Sequence, residues 1–200
     1  MGVLLLGPPC QEIFGFLSLQ GHHVQRMEDK INLSLIKHIN PDFVVVYRYR
    51  HIITEDITRF LDGRIVNLHI SLLPWNKGAD PNLWSFLEDT PKGVTLHYVD
   101  KGLDTGDIIV QKEINFNDPD ATLAETYAQL SESMISLLIE IWPALENGRA
   151  PRLPQMAGGS FHRLKDKEPY MHLLQEKGWD TPVRYLIGKA LQGSTGNEDR

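Results

Sequence analysis

Over the first hundred residues, short aliphatic runs alternate with helix-patterned segments, which limits the chain to βα units packed on a mostly parallel sheet. Val3 to Leu6 fits a buried strand, and a helix from about Gln11 to Gln20 follows, ended by Gly21. His22 to Arg26 forms a short second strand. Asn32 to Ile39 is helical and closes at Asn40-Pro41. The next segment, Asp42-Phe43-Val44-Val45-Val46-Tyr47, is β-branched, flanked by turn residues and the strongest strand of the chain. Thr54 stands at an N-cap position, with Glu55 and Asp56 suited to the positive helix end, so the following helix runs to about Leu61 and stops at Asp62-Gly63. Arg64 to His69 is the fourth strand.

Beyond it, Ser71 to Pro81 carries two prolines and a glycine and no sustained periodicity, the pattern of a long ordered loop. A short helix from Leu83 to Glu88 and strands at Val94 to Val99 and Asp107 to Ile114 follow, the strands joined by the turn-rich Asp100 to Gly106. Leu123, Tyr127, Leu130, Met134, Leu137 and Ile141 recur every three or four residues, one apolar stripe on a helix from near Asp120 to between Pro143 and Gly148. The expected architecture is an α/β domain over residues 1–150, a mostly parallel twisted sheet flanked by helices. A more polar extension, 151–200, packs on that core with a last helix over Pro182 to Leu191 and a disordered tail from about 193.

Composition narrows the function classes. Twenty Lys+Arg against 26 Asp+Glu give a net charge of −6 with no basic cluster, which argues against nucleic-acid partners. No apolar run approaches the roughly 20 residues that span a bilayer, so no membrane association is expected. The single cysteine, Cys10, builds neither a disulfide framework nor a Cys-rich zinc site, and Met1 to Gly7 does not read as a secretory leader. A cytoplasmic protein without a metal follows as the expectation.

Two constellations carry chemistry. Asn67 and His69, two apart at a strand end, share one face of the sheet where open α/β sheets gather ligands. An imidazole moves protons near neutral pH, and a carboxamide donates to a developing oxyanion without titrating, a combination suited to acyl transfer. A polar strand end can equally be a satisfied loop junction. In Gly102-Leu103-Asp104-Thr105-Gly106-Asp107 the glycines permit tight turns around Asp104, a pattern that also fits an ordinary hairpin.

Asn67-Leu68-His69-Ile70-Ser71-Leu72-Leu73-Pro74, then Gly78, Gly93-Val94-Thr95-Leu96-His97 and Asp104-Thr105-Gly106-Asp107-Ile108-Ile109 resemble the successive signatures of the folate-dependent formyltransferases, most similarly the sugar N-formyltransferases. The resemblance covers residues 42 to 115 well. It implies a Rossmann-like core on which Asn67, His69 and Asp104 are catalytic, transferring formyl from 10-formyltetrahydrofolate to an amine. The folate implied by the family lies beside Arg50, His51, Ile52 and Ile53 and beside Lys101, Gly102 and Leu103. Ile52 and Ile53 can alternatively pack the base of the next helix.

The implied acceptor is a small-molecule amine. Gly7-Pro8-Pro9-Cys10 stands where glycinamide ribonucleotide enzymes have a phosphate loop, and its prolines remove backbone donors. The acidic chain is unlike the methionyl-tRNA enzymes, with their basic surface and C-terminal β-domain. Gly78-Ala79-Asp80-Pro81-Asn82-Leu83-Trp84-Ser85 resembles the corresponding stretch of the sugar enzymes. A nucleotide-linked amino sugar is therefore implied, with Ser71, Lys77, Gly78, Asp80, Asn82 and Trp84 as acceptor contacts. Pro81 and Trp84 can instead belong to a helix cap and the core. Ile70 departs from a common family proline. Arg48 and Arg50 share a face if the strand continues through Tyr49, where they would meet an anionic ligand or solvent. Gly158 to Arg163 resembles a stretch of some sugar enzymes, so that His162 and Arg163 reach acceptor or partner, or the segment covers a sheet edge. His97 reads as facing the core or a neighbour. A formyl-folate hydrolase, a non-catalytic binding module and a homodimer all remain open.

Overall fold

The computed structural model describes residues 1–191, so the tail expected from about 193 lies outside the described residues. The chain order is β1 (Gly2–Leu6), α1 (Gln11–Leu19), β2 (His23–Met27), α2 (Leu33–Ile39), β3 (Phe43–Tyr47), α3 (Glu55–Leu61) and β4 (Ile65–His69). It continues with β5 (Lys77–Gly78), α4 (Pro81–Leu87), β6 (Gly93–Tyr98), β7 (Ile108–Glu113), α5 (Leu123–Glu146) and β8 (Phe161–His162), then three 3₁₀ segments. Six strands form one sheet in the order β2-β1-β3-β4-β6-β7. The first four pair in parallel, as βα units dictate, and β6 joins β4 antiparallel.

Local chemistry sets the helix limits. The Asn32 side chain accepts from Leu35 N at 2.9 Å and caps α2, while Asn40 at φ 48° closes it. Thr54 occupies the N-cap of α3, but its hydroxyl donates to the Asp56 carboxylate instead of accepting from a helix N–H. β3 ends at Tyr47 because Arg48 turns into the left-handed region at φ 55°. The continuous strand that would put Arg48 and Arg50 on one face therefore does not form. Gly7, next to the end of β1, has no substitute: a Cβ there would stand 1.8 Å from the Tyr47 carbonyl oxygen.

The chain divides into two compact units. The first holds Met1–His69, Thr95–Val110 and Met134–Gln155; the second holds Ile70–Val94, Gln111–Ser133 and the described residues from Met156 onward. In the first unit, strand alternation sorts the apolar residues by face. Leu4, Leu6, Val44 and Val46 pack with Ile36 of α2 and with Ile57 and Leu61 of α3. On the opposite face the Phe43 ring meets Trp142 edge-on at 5.6 Å, and Trp142 Nε1 donates to His22 Nε2 at 2.9 Å. The buried stripe on the later part of α5 runs Met134, Leu137, Leu138, Trp142, Leu145, with Ile141 only half-buried, because a repeat of four and three residues drifts around a 3.6-residue helix as it lengthens.

In the second unit Leu83, Trp84, Phe86 and Leu87 of α4 pack with Leu123, Leu174, Val183 and Leu186. Two sequence expectations change here. The loop after β4 contains β5, which pairs in parallel with β8 as a separate two-stranded sheet, so the 158–163 segment gives its backbone pairing to that loop. The expected helix over Pro182 to Leu191 contracts to a 3₁₀ turn, Val183–Tyr185. Two donors of that stretch are taken elsewhere: Gly188 N bonds Phe86 O at 3.0 Å and Ala190 N bonds Leu87 O at 2.9 Å, beyond α4's own helical pairs.

Trp142 is the largest fully buried side chain, and its indole N–H has a buried partner. Trp142→Ala is expected to lower stability by about 3–5 kcal/mol, read by urea unfolding; a loss below about 1 kcal/mol would contradict this packing.

Candidate active site

The antiparallel register of β4 with β6 sets Asn67 opposite His97 and His69 opposite Thr95. Directly opposed residues project from the same face with Cβ atoms about 5 Å apart, so a strand end and a neighbouring strand supply one polar cluster. The loop between β6 and β7 brings Asp104 to it. Asn67 Nδ2 lies 3.1 Å from His97 Nε2 and donates to Asp104 Oδ1 at 3.2 Å. His69 Nδ1 stands 3.7 Å from Asp104 Oδ2, within ion-pair reach, and His97 Nε2 stands 3.6 Å from Asp104 Oδ1. His69, His97 and Asp104 are all buried, and Asn67 is partly open.

Asp104 is held by its backbone. It sits at φ 54°, and the Gln155 amide donates to the carbonyls of both Asp104 and Gly106 at 2.8 Å. Gly106 is required where it is, since a Cβ would meet the Tyr98 carbonyl oxygen at 1.8 Å. Asp100 Oδ1 accepts from Gly102 N at 2.9 Å and from the Thr105 hydroxyl at 2.7 Å, closing the turn before Asp104. Arg152, in the same segment as Gln155, lays its guanidinium on the Tyr98 ring at 3.6 Å and donates to Gly63 O at 3.2 Å. Burial raises the Tyr98 phenol above its ordinary pKa, with the Arg152 charge opposing the shift. A cavity of about 370 Å³ lined by Thr58, Asp62, Tyr98, Asp100, Lys101 and Arg152 lies in this unit, and its lining does not include Asn67, His69 or Asp104.

The residues expected around a folate belong to the first unit. Ile52 is 74% exposed and Leu103 48% exposed, leaving two apolar side chains uncovered on the loops after β3 and β6. Arg50, His51, Lys101 and Gly102 are exposed, while Ile53 packs on the α2–α3 core beside Ile57, the alternative the sequence left open.

The residues expected around the acceptor belong to the second unit. Ser71 is buried, and its hydroxyl donates to Trp75 O at 2.7 Å. Asn82 is 2% exposed, with its amide donating to Leu123 O at 3.1 Å and Thr126 Oγ1 at 3.2 Å, which anchors the start of α5. Trp84 is likewise buried, stacked on His162 at 3.7 Å between ring centres. His162 Nε2 is 3.2 Å from Glu88 Oε2, in ion-pair range but not aligned as a hydrogen bond. Lys77, Gly78 and Asp80 stay partly exposed, and Asp80 pairs with Lys167 at 2.7 Å. Asn82 and Trp84 thus have structural partners in the core.

The sequence reading missed two members of the cluster. His97 stood in view as a strand residue, and only the register reveals that it faces Asn67. Gln155 lies 51 residues from Asp104, with no local pattern to mark it. Among the described residues, no group of three or more His, Cys, Asp or Glu could hold a metal ion, and no helix is long and apolar enough to cross a membrane.

A buried imidazole, a carboxamide and a carboxylate on one sheet face can polarise a carbonyl, stabilise an oxyanion and accept a proton without a protein nucleophile. The formyl transferase family model matches residues 14–141. The formyltransferase PseJ from Anoxybacillus kamchatkensis, solved with UDP-4,6-dideoxy-4-formamido-L-AltNAc and tetrahydrofolate, is 50% identical, with a TM-score of 0.91 covering 95% of this chain and 100% of that one. An N-formyltransferase from Helicobacter canadensis, 17% identical, shares the fold at a TM-score of 0.72 over 94% of this chain and 81% of that one. The methionyl-tRNA formyltransferase of Clostridioides difficile (strain 630) is 36% identical over 128 residues, 64% of this chain and 41% of that protein. The chain spans about half the length of the curated relatives it matches. On the strength of the family match and the motifs that carry it, the chain belongs to the formyl transferase family.

Proposed function

We propose that the protein transfers a formyl group from 10-formyltetrahydrofolate to the 4-amino group of a UDP-linked amino sugar. The observation that carries this reading is the 50% identity to PseJ over that enzyme's whole length, with a 4-formamido sugar nucleotide and tetrahydrofolate bound there. Loops bearing uncovered Ile52 and Leu103 suit the flat ring of a folate.

Asn67, His69 and Asp104 have distinct parts in the proposed reaction. The acceptor amine attacks the formyl carbon and forms a C–N bond, pushing the carbonyl electrons onto oxygen. Protonated His69 donates to that oxyanion, and Asn67 Nδ2 turns to it the hydrogen that it gives Asp104 Oδ1 in the free protein, in a buried setting where such bonds count for more than in water. The Asp104 carboxylate stabilises positive charge on the His69 ring and takes the proton shed by the attacking nitrogen. Collapse of the intermediate breaks the bond to folate N10, which receives that proton and leaves as tetrahydrofolate. The amine proton ends on N10, so no outside acid, oxidant or metal is consumed.

Asn67→Ala is expected to lower kcat by about 10²–10³-fold, the usual effect of losing one oxyanion donor. His69→Ala and Asp104→Ala are expected to lower it by about 10²–10⁴-fold, with each variant's thermal unfolding close to wild type. Near-wild-type turnover in all three, assayed with 10-formyltetrahydrofolate and the UDP-4-amino sugar, would contradict the mechanism.

Gln155→Ala leaves two loop carbonyls without their donor. It is expected to cost about 1–3 kcal/mol in urea unfolding and to lower kcat about tenfold through displacement of Asp104. Unchanged turnover would show that the loop holds itself.

A further inference from the structure

We propose that His97 is a positioning residue for Asn67, its ring holding the carboxamide so that the NH2 edge, not the oxygen, faces Asp104. This rests on the formyl-transfer reading for its consequence but on hydrogen-bond geometry for its substance.

His97 Nδ1 lies 2.8 Å from the carbonyl oxygen of Tyr98. A carbonyl only accepts, so Nδ1 carries the proton, and in a singly protonated ring Nε2 presents a lone pair. The group facing that lone pair at 3.1 Å is Asn67 Nδ2, which donates one hydrogen to His97 and the other to Asp104 Oδ1 at 3.2 Å. A flipped amide would set its oxygen against the lone pair and against a carboxylate oxygen at once. The register fixes the partners, because Asn67 and His97 are directly opposed in the β4–β6 pair, and His97 is 2% exposed.

Asp104 alone does not secure this orientation through a turnover. As proton acceptor it becomes a carboxylic acid during the reaction, and its new O–H can then donate to an amide oxygen as readily as its other oxygen accepts from an amide nitrogen. His97 undergoes no such change in the proposed steps. Its lone pair keeps one Asn67 hydrogen and with it the NH2 orientation, so that the other, given to Asp104 Oδ1 in the free protein, can turn to the oxyanion.

The test combines two variants with one measurement on the wild-type chain. His97→Met keeps an apolar side chain of similar reach and removes the acceptor, whereas His97→Gln can return an acceptor near the position of Nε2. With 10-formyltetrahydrofolate and the UDP-4-amino sugar, His97→Met should lower kcat about 10- to 100-fold, the scale of a misplaced catalytic group, with both KM values nearly unchanged. His97→Gln should recover a large part of the loss. Wild-type kcat in His97→Met, or equal loss in both variants, would reduce His97 to a packing residue. ¹⁵N spectra of the wild-type ring, independent of turnover and of how the variants fold, should show a protonated Nδ1 and a bare Nε2. The opposite tautomer in an active enzyme would overturn the role of His97 alone. The expected tautomer in a chain that transfers no formyl group would instead remove the formyl-transfer reading, and the role with it.

Discussion

The site depends on the antiparallel register between β4 and β6. Parallel pairing carries the sheet from β2 to β4, and the reversal at β6 brings a second strand's side chains beside the end of β4. Apolar pairs lock the register: Val66 opposes Tyr98 and Leu68 opposes Leu96, all buried. The alternate positions then have no choice of partner, and Asn67 meets His97 while His69 meets Thr95. A slip of one residue would turn the polar set to the other face and put the apolar set in its place, which makes the hydrophobic pairs the guarantors of the polar ones.

Asp104 depends on a different device. Its loop leaves β6 through a turn closed by Asp100 and re-enters the sheet at a glycine that can approach the Tyr98 carbonyl. The Gln155 amide ties two of its carbonyls to a segment that follows α5. Positive φ at Asp104 is thus maintained from outside the loop, a common circumstance for a residue whose position matters more than its local comfort. A rigid strand pair and a tethered loop together set a carboxylate, an imidazole and a carboxamide within hydrogen-bond or ion-pair distance.

The sequence made the strands and helices of the first unit legible because each has a local cause. β-branched runs, an Asn cap before α2 and acidic residues in the first turn of α3 act within a few residues, and the elements formed within a residue or two of expectation. Asn67, His69 and Asp104 were singled out as a set by the resemblance of their motifs, each motif alone fitting an ordinary junction or turn, and the structure brings the three side chains together. What stayed hidden depends on distant partners. His97 shows its role only through cross-strand register, and Gln155 only through a contact over 51 residues. The 3₁₀ turn in place of the last helix gives its first two backbone donors to Ala121 O and Pro119 O, and Gly188 N and Ala190 N after it go to α4, a competition that no periodicity in Pro182 to Leu191 encodes. For Trp84 the sequence left a pocket and the core both open, and α4 buries it together with Asn82.

The central claim is that this cluster delivers a formyl carbon to an amine and not to water. The direct measurement follows ¹³C-formyl-labelled 10-formyltetrahydrofolate incubated with the protein and the UDP-4-amino sugar, resolving the labelled carbon by NMR. The account predicts that the label appears in a sugar formamide, in step with tetrahydrofolate release, and that little formate forms when the amine is withheld. Formate appearing at the same rate with or without the amine, and no labelled formamide, would contradict it.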